Sequence, residues 1–177
     1  SFWDTGEFIA TSHILGVPHP PGSPLFLLVG KFFSLIPLSN DIAFRVNIFS
    51  PIISALTISL LFLICNQFID RIDTNNYNRF FTMWSSLTAS LTFAFTHSHW
   101  FNAVETEVYA FSGFMTALVV YLIMLWSKKI DDSSHVVYLM LISYIIGLAT
   151  GLHLLNLLTI PFIGLICLLY TSDAADE

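Results

Sequence analysis

Charge is the scarcest commodity in this sequence: of 177 residues only 10% are Asp, Glu, Lys or Arg, against about 25% in soluble globular domains. Lys and Arg together number six and form no stripe that a phosphate backbone would follow, which sets aside DNA and RNA binding. Cysteine is nearly absent. Cys65 and Cys167 sit in apolar runs without CxxC or Cys/His spacing, so buried free thiols are expected. No GxGxxG and no P-loop occurs, and with them goes the usual cradle for a soluble nucleotide. Nor is there a signal peptide to read before Trp3. The chain opens on Ser1 rather than Met and reads as a piece of a longer protein. The closing TSDAADE, 171–177, follows an apolar run without cap or turn chemistry and reads as a non-native tail, although it supplies part of the net charge of −6.

What is abundant is hydrophobicity, 55% of residues, with a mean hydropathy of +0.76. The expectation is an all-α, polytopic integral membrane protein. Segment 25–37 is apolar but too short to cross a bilayer, which takes about 20 residues. It reads as an interfacial helix whose Lys31 snorkels to the headgroups. Asn40 and Asp41 look like the N-cap region of the next helix. Spans are expected at 46–64, 80–96 and 108–126, and the apolar block 136–170 divides near Gly151 into 136–152 and 154–170. Loops 66–79 and 127–135 carry Arg71, Arg79, Lys128 and Lys129 and are therefore cytoplasmic. The opposite segments 1–24, 97–107 and 151–156 hold no Lys or Arg. Lys31 and Arg45, near the membrane, are the exceptions.

A second pattern, not used in building the first, falls on that non-cytoplasmic side: Asp4, Glu7, His13, His19, His97, His99, Glu105, Glu107 and His153. Carboxylates and imidazoles of three separate loops then share one face, as a multi-pass enzyme or transporter needs. Asp4 and Glu7, one helical turn apart, are flanked by Phe2, Trp3, Phe8 and Ile9. They serve a helix N-terminus electrostatically or, with desolvation raising their pKa, act as a general base. HPPGSP, 19–24, is a stiff turn beside which His19 is either incidental or a partner for an anionic group. HxH at His97 and His99 followed by Glu105 and Glu107 is a passable divalent-metal set, but matches no strict ligand motif. A polar hairpin explains the histidines, and no metal or cofactor is assigned. Gly147 and Gly151 suit close helix packing, and His153 and Asn156 at the turn are site candidates.

WDTGEF, HPPGSP, FNAVETEVYAFS and GLATGLHLLNLL, in this order, resemble the domain-of-unknown-function family 2723, since joined to the protein O-mannosyltransferases. More loosely the pattern is similar to the C-type glycosyltransferases that use lipid-linked sugars. The resemblance implies a fragment of a C-type helical bundle, a partial catalytic domain over 1–170 with an outer catalytic loop at 1–24. It implies Asp4 as catalytic residue, with Glu7 in the same motif and Glu105 and Glu107 as the acids of the second outer loop. The first transmembrane helix expected before Trp3, the later helices and any soluble C-terminal domain lie outside this chain. The implied reaction moves a sugar, mannose first, from a polyprenyl phosphate to a Ser/Thr hydroxyl of an acceptor protein on the non-cytoplasmic side. The setting is a bacterial inner membrane, or the endoplasmic reticulum in a eukaryote. Such a transfer needs a base, supplied by Asp4, and a cation for the leaving phosphate. Arg45, where a span meets the outer interface, suits that bidentate task. His19, His153 and Asn156 join it as donor- or acceptor-binding candidates. The rival classes are an ion- or proton-coupled transporter, which calls for acids deep within helices, and a metal-dependent membrane hydrolase, which calls for a stricter ligand motif.

Overall fold

The computed structural model describes residues 4–20, 22–72, 78–129 and 135–173, and every regular element among them is helical. The helices are α1 (Thr5–Ile14), α2 (Pro24–Leu35), α3 (Ile42–Asn47), α4 (Phe49–Ile72), α5 (Arg79–Ala94), α6 (His97–Val104), α7 (Val108–Trp126), α8 (His135–Thr150) and α9 (Thr159–Asp173), with a 3-10 turn at Leu154–Leu158 before α9. Helix α7 packs between α4 and α8, α5 lies against α4, and α1 to α3 form a small layer of their own joined to α4.

Local chemistry sets the boundaries. Asp41 caps α3, its Oδ1 accepting from the Ala43 amide at 2.8 Å. Asn78 caps α5 in the same way at 3.2 Å. Helix α1 ends at Leu15 in the left-handed region, and the Lys31 ammonium donates to the His13 carbonyl at 2.5 Å, satisfying one of the orphan acceptors of that helix end. Lys31 thus binds α2 to α1 rather than reaching for headgroups. The two helices touch where Gly30 meets Ser12. A Cβ at position 30 would lie 2.4 Å from Ser12 Oγ and 2.8 Å from its Cβ, so only glycine permits the approach.

A ladder of edge-to-face rings carries the small layer into the bundle: Phe8 to Phe26 at 5.2 Å, Phe26 to Phe49 at 6.1 Å and Phe49 to Phe111 at 5.1 Å. Each such pair adds about 0.5–1.5 kcal/mol beyond the area it buries. The α4–α5 face is different. Ser50, Ser54, Thr57, Thr82, Ser86 and Ser90 are all buried, while Ile52, Leu56, Phe80, Phe81, Met83 and Trp84 point outward. Small hydroxyl residues inside let helices approach closely, while the large apolar ones face outward. Among the described residues two stretches are long and apolar enough to cross a membrane: Ile42–Ile72, 31 residues, and Val108–Trp126, 19 residues, whose most apolar 18-residue windows have mean hydropathies of 2.4 and 2.1.

The helices outrun the hydropathy. The run expected to end at Ile64 continues as helix to Ile72, because losing apolar side chains does not break backbone hydrogen bonds. Arg71 there donates to the Met124 carbonyl at 2.9 Å and to the Ser127 hydroxyl, pinning the C-termini of α4 and α7 together. The presumed outer loops likewise contain α1 and α6. Loop positions 73–77 and 130–134, and the tail at 174–177, lie outside the described residues; positions 171–173 belong to α9.

Candidate functional site

Three segments distant in sequence meet at the N-terminal ends of α4 and α7. Asn47 binds the α3–α4 junction to the segment after α6, donating to the Val104 carbonyl at 3.1 Å and accepting from Thr106 Oγ1 at 2.7 Å. Ser23 Oγ, following the proline turn, donates to the Leu152 carbonyl at 3.0 Å, which joins that turn to the break between α8 and α9. Gly22 makes the turn possible: its φ of +86° is favourable only for glycine, and its amide donates to the His19 carbonyl at 3.0 Å.

The turn delivers His19 onto α1. Its backbone amide donates to Glu7 Oε1 at 2.7 Å, its Nδ1 stands 2.9 Å from Glu7 Oε2, and its Nε2 lies 3.7 Å from Asp4 Oδ2. The imidazole therefore bridges both carboxylates of the DTGE run, with Phe8 edge-on to it at 6.0 Å. A small cavity of about 70 Å³ opens here, lined by Asp4, His19, Glu107, Tyr109 and His153 among others. His153 packs on the Tyr109 ring at 5.5 Å, and its Nδ1 accepts from the Leu155 amide at 3.2 Å, leaving Nε2 to carry the proton.

The electrostatics sort the acids. The imidazole and backbone N–H of His19 hold Glu7 below the usual carboxylate range, and burial opposes them only weakly. Glu7 is thus lowered, the opposite of the desolvated, raised carboxylate expected from its aromatic neighbours; partial exposure and the two His19 donors outweigh burial. His19 is raised in return, first by its bond to Glu7 and then by the charges of Asp4 and Glu7. The carboxyl pushed upward is Glu107, first by burial and then by Glu105 and Asp4, with the Asp4 amide pulling the other way.

The remaining candidates go elsewhere. Glu105 and Glu107 line different cavities: the Glu107 amide donates back to the Glu105 carbonyl at 3.0 Å, and beyond this kink Glu105 lies in a second cavity, where it is 6% exposed. Asn156 is a latch. Its Oδ1 accepts from Ser112 at 3.3 Å and Thr116 at 3.0 Å, and its Nδ2 donates to the carbonyls of Ala149 at 3.0 Å and His153 at 2.9 Å, so no bonding capacity is left for a substrate. Arg45 stands on α3, half-buried, its Nε without a hydrogen-bond partner. The HxH histidines stack separately, His97 on Phe101 and His99 on Phe93. Among the described residues the one group of three side chains with metal-ligand proximity is Asp4, Glu7 and His19, their atoms within 4.8 Å of one another. Ser23, Asn47 and Tyr109 escaped sequence reasoning; Asn47, a lone amide at the head of an apolar run, was the available signal.

The whole described chain matches one protein family, "Protein O-mannosyl-transferase TMEM260 N-terminal domain", over residues 4–176. Among curated proteins it is similar to the protein O-mannosyl-transferase tmem260 of Dictyostelium discoideum, 29% identical over 173 residues, which is 90% of this chain and 20% of that protein. It is also similar to protein O-mannosyl-transferase TMEM260 of Mus musculus, 32% identical over 122 residues, 66% of this chain and 16% of that protein. The chain therefore spans about a fifth or less of the length of these relatives. No solved structure matches it.

Proposed function

Because the chain belongs to the family of the TMEM260-type protein O-mannosyl-transferase N-terminal domain, we propose that it is the catalytic-loop portion of a multi-pass membrane mannosyltransferase built on the C-type plan, of the kind grouped as domain-of-unknown-function family 2723. The donor in this reading is a polyprenyl-phosphate mannose and the acceptor a protein Ser/Thr hydroxyl on the non-cytoplasmic side. The observation that carries it is the meeting of Asp4, His19, Glu107 and His153 around one small cavity, at the end of the bundle away from Arg71, Lys128 and Lys129. A transporter would set its acids mid-bilayer, between broken helices.

In the reaction the acceptor oxygen attacks the anomeric carbon, the bond from that carbon to the phosphate oxygen breaks, and the acceptor proton passes to Asp4. Polyprenyl phosphate leaves with the electron pair. His19, held between Asp4 and Glu7, fixes the angle of the base and, when protonated, offsets part of the carboxylate charge. Glu7 acts through His19 as its anchor. The developing phosphate dianion requires a cation, and Arg45 is assigned to it because its guanidinium has a free Nε at the right end of the bundle.

The test supplies the full-length protein, in proteoliposomes, with labelled polyprenyl-phosphate mannose and an acceptor peptide. Transfer to the peptide supports the reading. Loss of that transfer on removing divalent metal would move the Asp4, Glu7 and His19 group to a metal role, and solute flux without transfer would establish the transporter.

A further inference from the structure

The first turn of α1 separates two cavities. Asp4 and Phe8 line the small one described above, while Thr5 and Ile9, one residue further round the helix, line a second of about 390 Å³. That volume falls in the range of about 300–1,000 Å³ typical of small-molecule sites. Phe44, half exposed, and Val104 give it apolar walls, and Asp41, Asn47 and Glu105 bring polar groups.

Two of its polar atoms are unexplained by the fold. Glu105 is 94% buried, and its Oε1 has no hydrogen-bond partner. Thr5 Oγ1 is likewise buried and unpartnered. Buried acceptors in folded proteins are nearly always satisfied, and a carboxylate is the costliest exception. The segment holding Glu105 is not loosely placed either, since Asn47 grips Val104 on one side and Thr106 on the other. The unsatisfied carboxylate is built in.

We propose that this cavity receives the hexose ring of the sugar donor, with Glu105 accepting from one ring hydroxyl, Thr5 bonding a second, and Phe44 covering the ring's C–H face. The assignment rests on the glycosyl-transfer reading and requires the anomeric carbon to lie at the rim by the first turn of α1, where Thr5 on this wall follows Asp4 on the other. The wall carries more acceptors than donors: Glu105 and Asp41 bring carboxylates, and one of the two Asn47 amide hydrogens is taken by Val104. Adjacent sugar hydroxyls donate to such a wall, whereas the carbonyls of an extended peptide find few donors there. Glu105 then sets sugar specificity, as a site built to bond a hydroxyl rejects analogues lacking it.

Ala43 lines the same cavity and reports its occupancy. In the full-length protein, stripped of other reactive cysteines, a short-chain polyprenyl-phosphate mannose should slow thiol modification of Ala43→Cys at least tenfold, and the same lipid phosphate without sugar should not. Glu105→Gln should raise the half-protecting concentration about tenfold, and the near-isosteric Thr5→Val severalfold, a second route if the first variant folds poorly. Equal protection by the sugar-free lipid, protection by the acceptor peptide alone, or no protection at all would overturn the assignment. Protection in a protein that transfers nothing leaves the sugar site standing and removes the transferase reading. Transfer without protection removes the sugar site alone.

Discussion

His19 holds Glu7 with two atoms at once, its amide at 2.7 Å from Oε1 and its Nδ1 at 2.9 Å from Oε2, so that a residue twelve positions later is locked flat against α1. Both bonds favour charge on the partner, which is why Glu7 is lowered from its ordinary 4.5 and His19 raised from its ordinary 6.5. The contribution of Glu7 is present above its ordinary value and is lost as pH falls through the lowered one. That of His19 is complete below 6.5 and is lost as pH rises through the raised value. The clamp is whole between the two.

The pH profile of kcat/KM for mannosyl transfer should therefore fall on the alkaline side as His19 deprotonates. In His19→Gln the amide keeps one bond without titrating, so that limb should move or vanish, and the acid limb should shift upward as Glu7 returns toward an ordinary carboxylate. An unchanged profile would detach His19 from the acids' function.

Helix α1 depends on the α2 crossing. Gly30→Ala drives a methyl into Ser12 and should lower stability by about 1–3 kcal/mol, read as a drop in Tm of the purified full-length protein. Adding Ser12→Gly removes both clashing atoms and should restore most of the loss. A neutral Gly30→Ala would mean that the two helices separate easily.

Asn156 fills all four of its bonding positions within the fold, so Asn156→Ala should cost about 1–3 kcal/mol in stability while leaving donor and acceptor KM near wild type in the folded fraction. A changed KM with an unchanged Tm would return Asn156 to the substrate.

Cysteines at Ser98 and Gly151 should react with an impermeant thiol reagent from the non-cytoplasmic side. Cysteines at the exposed Asp70 and Lys129 should react only after permeabilisation, if the end rich in Lys and Arg follows the positive-inside rule. Inverted labelling would put the acidic cavity on the wrong side for the proposed donor.

Helical class was legible because long apolar runs leave the backbone few ways to satisfy its hydrogen bonds other than within a helix. The gathering of Asp4, His19, Glu107 and His153 was legible in part, since all four fall in the segments that hold no Lys or Arg. What escaped was everything decided by contact. No spacing rule says that His19 lowers Glu7 rather than leaving it desolvated, that a kink between Glu105 and Glu107 divides them between two cavities, or that Asn156 is consumed by Ser112 and Thr116. Those outcomes depend on side chains from helices far apart in sequence.

The central claim is that Asp4 is the base that takes the acceptor's proton, and Asp4→Asn tests it most directly because the amide keeps the shape and cannot accept that proton. Transfer from labelled polyprenyl-phosphate mannose to an acceptor peptide is measured with full-length wild type and variant at matched expression and membrane insertion. The account predicts a rate lower by about 10²–10⁴ with donor binding retained. Near-normal turnover by Asp4→Asn would contradict it.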